Sequence, residues 1–351
     1  MSPADSHPDL VDAIAALGGP LFRLGSDARA VVSPVGARLL GLYVGADEPN
    51  LLWTNPDVPV DKLAAPTWAD VPGGLGGDRL WFAPEDDFHG PDEPTDGRVY
   101  EVPPAVDPGG YEGRVEHDGV VLTSSFRLDG RDGVVGFDVT RRFRLTPAPP
   151  APEGLAAIGV EARQTLRLHD DLTMGRVGLW CLLQVPAGSV VIVPTAPGAP
   201  AEAATPLSYG RAAATIVGDE QVLFPITGHA STKIGIGTAA LTGRTAALRR
   251  LADSAWCLLV REFAVHPGRI YADHPPAQPR TDQAFQAWDG WGFGEMEYHS
   301  PALLGGSGPR TLEDVNRLWA FVGGLRAILD VGRDRLGVDL SDAAALVRAL
   351  G

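Results

Sequence analysis

Lysine is nearly missing from this chain: of 29 basic residues among 351, only Lys62 and Lys233 are lysine and the rest are arginine. Cysteine is as scarce. Cys181 and Cys257 stand alone, each inside an apolar run (Leu179–Leu183 and Ala255–Leu259). No paired Cys/His spacing points to a zinc site, and two isolated thiols in apolar runs favour free, buried cysteines in a reducing compartment over a disulfide. No apolar stretch approaches the ~18–20 residues a membrane span needs. Met1 to Leu10 lacks the basic and apolar segments of a secretory signal, so the expected location is cytoplasmic. Positive charge is short as well, the formal net charge being −15. That sign disfavours nucleic acid and anionic membranes as partners. There is no Gly-rich loop opening a helix in a phosphate-binding pattern, no Gly-x-Ser-x-Gly elbow and no His-Glu-x-x-His helix. No internal repeat is found, and no cofactor is expected.

The composition that remains, 44% hydrophobic and 21% charged, is that of a globular protein with a sizeable core. From Ala28 to about residue 265 the chain reads as short β-runs separated by Gly, Pro, Asn and Asp. They include Ala28–Ser33, Ala37–Val44, Val120–Leu128, Val134–Leu145, Gly159–Leu168, Leu179–Val185, Val190–Val193, Val222–Ile226 and Trp256–Phe263. Asp129-Gly130-Arg131-Asp132-Gly133 joins two of these as an antiparallel hairpin. Asp9–Leu17 is apolar at helical spacing and stops at Gly18-Gly19. Thr311, with Asp314 three positions on, resembles a capping box and predicts a helix with Val315, Leu318, Trp319, Val322, Leu325, Ile328 and Leu329 on its apolar face. Ser341 begins a short last helix. Pro147–Pro152 and Pro194–Pro206 read as loops. Strand texture is alike on both sides of the first, so one domain over residues 1–351 is expected. Its core spans about 25–302 and a C-terminal helical segment about 311–350. The fold class is all-β, large antiparallel sheets with short N-terminal and C-terminal helices.

Two stretches carry chemistry: Gly76-Gly77-Asp78-Arg79-Leu80-Trp81-Phe82-Ala83-Pro84-Glu85 and Gly294-Glu295-Met296-Glu297-Tyr298-His299-Ser300-Pro301. On a strand, Glu295, Glu297 and His299 share one face. Neighbouring carboxylates raise each other's pKa, which suits one of them to general base work worth about 10²–10⁴-fold. Arg79 can clamp a hydroxyl or carboxylate while Trp81 stacks on a sugar face; the alternative is Arg79 paired with Glu85 and Trp81 in the core. Gln184 is a polar residue in an otherwise apolar run and is expected to face the site, whereas Trp180 reads as core. His299, His89 and His169 are alternatives for a proton donor. Glu295 with Glu297 and His299, or His169 with Asp170-Asp171, could hold a metal, but neither spacing is diagnostic. Trp288, Trp291 and Phe293 form either an aromatic wall for a sugar or core packing. Lys233 reads as a surface lysine, with reach to an anionic substrate as the alternative.

Gly36–Leu42, Asn50–Trp53, the Gly76–Glu85 stretch, Trp180–Pro186 and Glu295–Pro301, in this order and spacing, resemble the galactose mutarotase-like group, and more narrowly its uncharacterised bacterial branches. The resemblance spans about residues 30 to 302. It implies a β-supersandwich with a carbohydrate site. In aldose 1-epimerases of this group a late glutamate is the general base, an early arginine holds the sugar and a mid-chain histidine protonates the ring oxygen. The glutamate falls on Glu295, with Glu297 beside it, and the arginine on Arg79. The histidine has no counterpart: its place is taken by Gly178-Leu179-Trp180-Cys181-Leu182. Three functions follow as expectations. They are a sugar 1-epimerase using Glu295 as base, a non-catalytic carbohydrate-binding protein, and a carbohydrate lyase or hydrolase of the same fold. The expected partner is a small sugar or oligosaccharide bound through Arg79, Trp81, Gln184, His89 and Trp291. No oligomeric state is read from the sequence.

Overall fold

A computed structural model of the chain describes residues 10–16, 18–58, 74–90, 100–130, 133–170, 175–209, 211, 213–252, 254–273, 281–306 and 308–351. Asp9, Leu17, Arg131, Asp132 and Asp171, which enter the expectations above, lie outside the described residues. In chain order the strands are β1 (Phe22–Gly25), β2 (Arg29–Ser33), β3 (Arg38–Tyr43), β4 (Asp78–Ala83), β5 (Glu112–Glu116), β6 (Gly119–Gly130) and β7 (Gly133–Thr146). They continue with β8 (Ala156–Leu168), β9 (Arg176–Pro186), β10 (Val190–Pro194), β11 (Leu207–Tyr209), β12 (Ile216–Val217), β13 (Gln221–Pro225) and β14 (Thr232–Gly237). The last are β15 (Arg244–Arg250), β16 (Trp256–Phe263), β17 (Gln283–Gly290), β18 (Phe293–His299), β19 (Leu303–Leu304) and β20 (Thr311–Gly323). The α-helices are α1 (Leu10–Ala16), α2 (Glu85–Phe88), α3 (Ala201–Ala204), α4 (Leu325–Leu336) and α5 (Ser341–Leu350).

Among the described residues these strands form two ten-stranded antiparallel sheets, which makes the protein an all-β sandwich. The first has the order β1-β2-β3-β4-β9-β18-β17-β14-β11, with β19 attached to β9. The second has the order β12-β13-β10-β15-β16-β20-β8-β7-β6-β5. The expected hairpin is β6–β7, its register closing at Gly130 opposite Gly133. The sheets bury their facing sides against each other: Leu80, Phe82, Leu183 and Met296 of the first sheet join Phe137, Leu166, Leu259 and Leu318 of the second in one core. Phe82 stacks on Phe137 at 5.4 Å. Both cysteines are free and buried, Cys181 in this core with its thiol pushed up to about 12 by burial.

The helix expected from Thr311 is instead strand β20, paired with β16 on one side and β8 on the other. The sheet core therefore runs on to Gly323, beyond the expected limit near 302, and the C-terminal helical segment starts at Leu325 rather than 311. The physical reason is burial on both faces. Leu318, Ala320 and Val322 point into the sandwich, while Trp319 and Phe321 point outward under α4 and α5. A strand covered on both sides is a continuous apolar run, and such a run also satisfies helical spacing. Gly323-Gly324 then releases the chain into α4, which ends at Gly337 in the left-handed conformation (φ 74°) that glycine tolerates. Helices α4 and α5 lay Ile328, Val331, Ala344 and Val347 on the outer side of the second sheet. The outer side of the first sheet is where the polar side chains of β4, β9, β18, β17 and β14 gather.

Candidate functional site

Residues directly opposite in an antiparallel pair point to the same face. Trp81 is opposite Trp180 and Arg79 opposite Leu182. Glu295 is opposite Gln184, Glu297 opposite Leu182 and His299 opposite Trp180. Trp288 is opposite Glu295, Gln286 opposite Glu297, and Lys233 opposite Trp288. Alternation along β4, β9 and β18 therefore brings Arg79, Trp81, Gln184, Glu295, Glu297 and His299 together on the outer face of the first sheet, with Gln286 and Trp288 of β17 and Lys233 of β14 beside them. The two stretches singled out in the sequence do meet.

They meet through ion pairs. Arg79 Nη2 donates to Glu295 Oε1 at 2.7 Å, and its guanidinium lies 3.7 Å over the Trp81 ring. Asp107 stands behind it: it accepts from Trp81 Nε1 at 3.3 Å, lies 3.8 Å from Arg79, and pairs with Arg38. Arg38 in turn donates to the carbonyl of Gly76 at 2.7 Å, which fixes the glycine-rich entry to β4. A second chain of charge lies beside the first. Lys233 Nζ is 2.9 Å from Glu85 Oε2 and 3.2 Å from Glu297 Oε2, and sits 4.5 Å over the Trp180 ring. Trp180 Nε1 donates to Glu297 Oε2 at 2.8 Å. Tyr100 donates to Glu85 at 3.2 Å. Gln286 donates to Tyr209 and to Asp273, each at 2.7 Å, and Asp273 accepts from the Glu85 backbone N–H at 3.1 Å. Among the described residues carboxylates outnumber cations here five to three: Glu85, Asp107, Asp273, Glu295 and Glu297 against Arg38, Arg79 and Lys233.

Burial sets the protonation states. It pushes the Glu297 carboxyl up to about 8; Lys233 and the Trp180 N–H pull it down, while Glu295 and Glu85 push it further up. Burial also opposes the Lys233 ammonium, but Glu297 and Glu85 outweigh it and hold this lysine well above its usual range. His89 is pulled down to about 4 and His299 well below the usual imidazole value, both by burial, so both are neutral at pH 7. Neither ring has a hydrogen-bond partner among the described residues. His89 stacks on Trp81 at 4.8 Å, and His299 stacks on Trp180 at 5.6 Å. Trp81, with the guanidinium and an imidazole against its ring, is only 4% exposed.

Several expectations change. Lys233 is not at the surface: it is 8% exposed and held between two carboxylates. Arg79 pairs with Glu295 rather than Glu85, whose partner is Lys233. Trp180 is buried as expected, yet its N–H belongs to the site. His169 lies elsewhere, at the end of β8, 2.7 Å from Asp138. Among the described residues no group of three or more His, Cys, Asp or Glu is arranged to hold a metal ion. Trp291 is 62% exposed at the tip of the β17–β18 hairpin and reaches the site through Trp288. Sequence reading missed Arg38, Asp107, Asp273, Tyr209 and Gln286. Alternation along Gln283–Trp288, with Gln286 two positions before Trp288, was the one available signal. Asp107 and Asp273 arrive from outside the strands, Tyr209 from the edge strand β11 and Arg38 from the first position of β3, with no local pattern to mark them.

No protein-family model matches the chain, and no curated protein sequence matches it. Solved structures similar to it include the Slr1438 protein from Synechocystis sp. PCC 6803, with TM-score 0.46 and 12% identity over 87% of this chain and 95% of that one. Galactose 1-epimerase from Lactobacillus acidophilus NCFM has TM-score 0.42 and 12% identity over 87% of this chain and 94% of that one. 4-alpha-glucanotransferase from Thermococcus litoralis has TM-score 0.36 and 11% identity over 85% of this chain and 37% of that one.

Proposed function

We propose that the chain is a single-domain carbohydrate-active protein of the galactose mutarotase-like kind and acts as a sugar 1-epimerase. The observation that carries this reading is the meeting of Glu295 with Arg79 at 2.7 Å, beside Gln184 and Glu297, on one strand face. Glu295 is the general base and takes the anomeric hydroxyl proton while the bond from C1 to the ring oxygen breaks and C1 becomes a carbonyl. Glu297, kept protonated near neutral pH by burial, gives its proton to the ring oxygen. Rotation of the C1 carbonyl and the reverse transfers close the ring as the other anomer and restore both carboxyls. This assignment fills the place of the missing histidine. His89 and His299, neutral when buried, are weaker proton donors and serve as walls of the site. Trp81 and Asp107 hold Arg79, and Arg79 orients Glu295 and the sugar.

The test is anomeric exchange followed by NMR with glucose, galactose, xylose and their 6-phosphates where they exist, comparing wild type with Glu295→Gln and Glu297→Gln. Both variants are expected to lose at least about 10²-fold in exchange rate. If no sugar exchanges faster with protein than in buffer, the epimerase reading is abandoned. The second reading is sugar binding without chemistry, favoured by the tie of Glu295 to Arg79, which occupies one oxygen of the base. Under that reading the same sugars give saturable binding shifts with unaltered exchange.

A further inference from the structure

Beyond Glu295 the site face continues as a row of aromatic rings toward the tip of the β17–β18 hairpin. Phe293 is the next residue of β18 on that face, about 7 Å along the strand from Glu295, and it is opposite Gly290. Trp53 stacks on Phe293 at 4.2 Å between centroids, Trp288 lies 5.2 Å from Phe293, and Trp291 meets Trp288 edge-on at 5.0 Å. Phe293 is fully buried, Trp53 and Trp288 are half-buried, and Trp291 is open to solvent. Gly290 keeps this row flat: a Cβ there would come within 2.5 Å of the Trp288 ring, so the bare backbone lets the indole lie along the strand.

The hairpin tip is unusual in its sequence. Trp291 and Gly292 both have positive φ (51° and 88°), as a two-residue hairpin turn of this hand requires. Glycine, asparagine and aspartate suit the first of these positions; an indole with its Cβ is strained there. The turn is nonetheless firmly held. Asp289 accepts from the Gly228 N–H and from the Thr227 hydroxyl, both at 2.6 Å, and the Gly292 N–H donates to the Gly228 carbonyl at 2.7 Å. A large apolar ring at a strained, rigid and solvent-facing position adds little to folding. Such a residue points to a ligand.

We propose that the Trp288–Trp291 face is a second sugar-ring subsite, so that the ligand is a short oligosaccharide whose reducing-end ring lies at Arg79 and Glu295 and whose next ring stacks on these indoles. The inference rests on the carbohydrate reading of the adjoining residues. Its support is the continuity of one sheet face: Trp288 is opposite Glu295, and the rings begin one strand step away, a distance comparable with one pyranose ring. An indole face takes the C–H face of a sugar ring without selecting among its hydroxyls. This subsite therefore supplies affinity for chain length, while Gln184, Arg79 and Glu295 read the terminal ring.

The test is calorimetric titration of wild type and Trp291→Asn with glucose, galactose and xylose and with maltose, cellobiose, lactose, xylobiose, maltotriose and cellotriose. Asparagine tolerates the positive φ, so the variant is expected to melt no lower than wild type. In wild type at least one disaccharide binds about tenfold tighter than its reducing-end monosaccharide, the worth of one stacked ring. In Trp291→Asn that ratio falls to near one. If a monosaccharide binds and lengthening it gains nothing, or if the variant keeps the ratio, the second subsite is refuted and the carbohydrate reading survives. If no saccharide of any length binds, both fall together.

Discussion

Glu297 is the residue whose titration has the clearest consequences. Its carboxyl is held up to about 8, against about 4.3 in an unfolded chain. Between those values the native protein keeps a proton that the unfolded chain has lost, so stability is greatest below the lower value and falls as pH rises through about 8. Glu297→Gln removes this dependence. The difference in melting temperature between variant and wild type is therefore expected to move in favour of the variant from pH 5 to pH 8.5, as read by scanning calorimetry. A difference that stays constant across that range would show that Glu297 is ionised throughout. If Glu297 is the acid, the exchange rate also declines above about pH 8. Arg79 behaves differently. Removing one partner of a buried pair leaves the other charged and dry, so Arg79→Ala is expected to cost about 3–5 kcal/mol by denaturant unfolding. Arg79→Lys, which keeps a charge but loses the planar stack on Trp81, falls in between.

Strand β4 carries opposite duties on its two sides. Arg79 and Trp81 face the site, while Asp78 faces the second sheet, where Arg141 of β7 and Arg261 of β16 reach it at 3.0 and 2.8 Å. Both guanidiniums are fully buried, and Arg141 also donates to the carbonyls of Ala37 and Asp78. Asp78→Ala strands two charges at once and is expected to destabilise by more than Arg79→Ala, with loss of a cooperative melt as the limiting outcome. A melt within a degree or two of wild type would overturn this reading of the sandwich. At this scale much was legible in the sequence. Eight of the β-runs between residues 37 and 263 coincide with strands, because alternation and turn residues are local signals. Strand β20 was not legible, since a two-sided apolar run reads equally as a helix. Lys233 was not legible either. Nothing around Thr232-Lys233-Ile234 announces that its partner Glu85 lies 148 residues away, and only the sheet order brings them together.

Across the whole molecule the charge balance and the site agree in sign. The chain carries −15, and among the described residues each of the site's three cations, Arg38, Arg79 and Lys233, has a carboxylate partner. An anionic ligand would meet an acidic face on which, among the described residues, each of these cations is already paired. Neutral aldoses are therefore expected to bind at least about tenfold tighter than their 6-phosphates, with the gap narrowing as salt rises from 20 to 500 mM. Tighter binding of a phosphate at low salt would reverse this conclusion. The sandwich also divides labour between its sheets. On the outer side of the second, α4 and α5 cover the strands around β10, β15, β16 and β20, and among the described residues no helix is long and apolar enough to cross a membrane. The site on the first sheet depends on odd-numbered residues of β4 and β18 and even-numbered residues of β9 and β17. That dependence is one of parity. Inserting a single residue within β18 would turn Met296 and Tyr298 outward and Glu295 and Glu297 into the core, whereas a two-residue insertion would keep the face but shift the pair by about 7 Å. New specificities in this scaffold must therefore be sought at its rims, around Trp53, Glu85 and Trp291, where length can change without inverting the sheet.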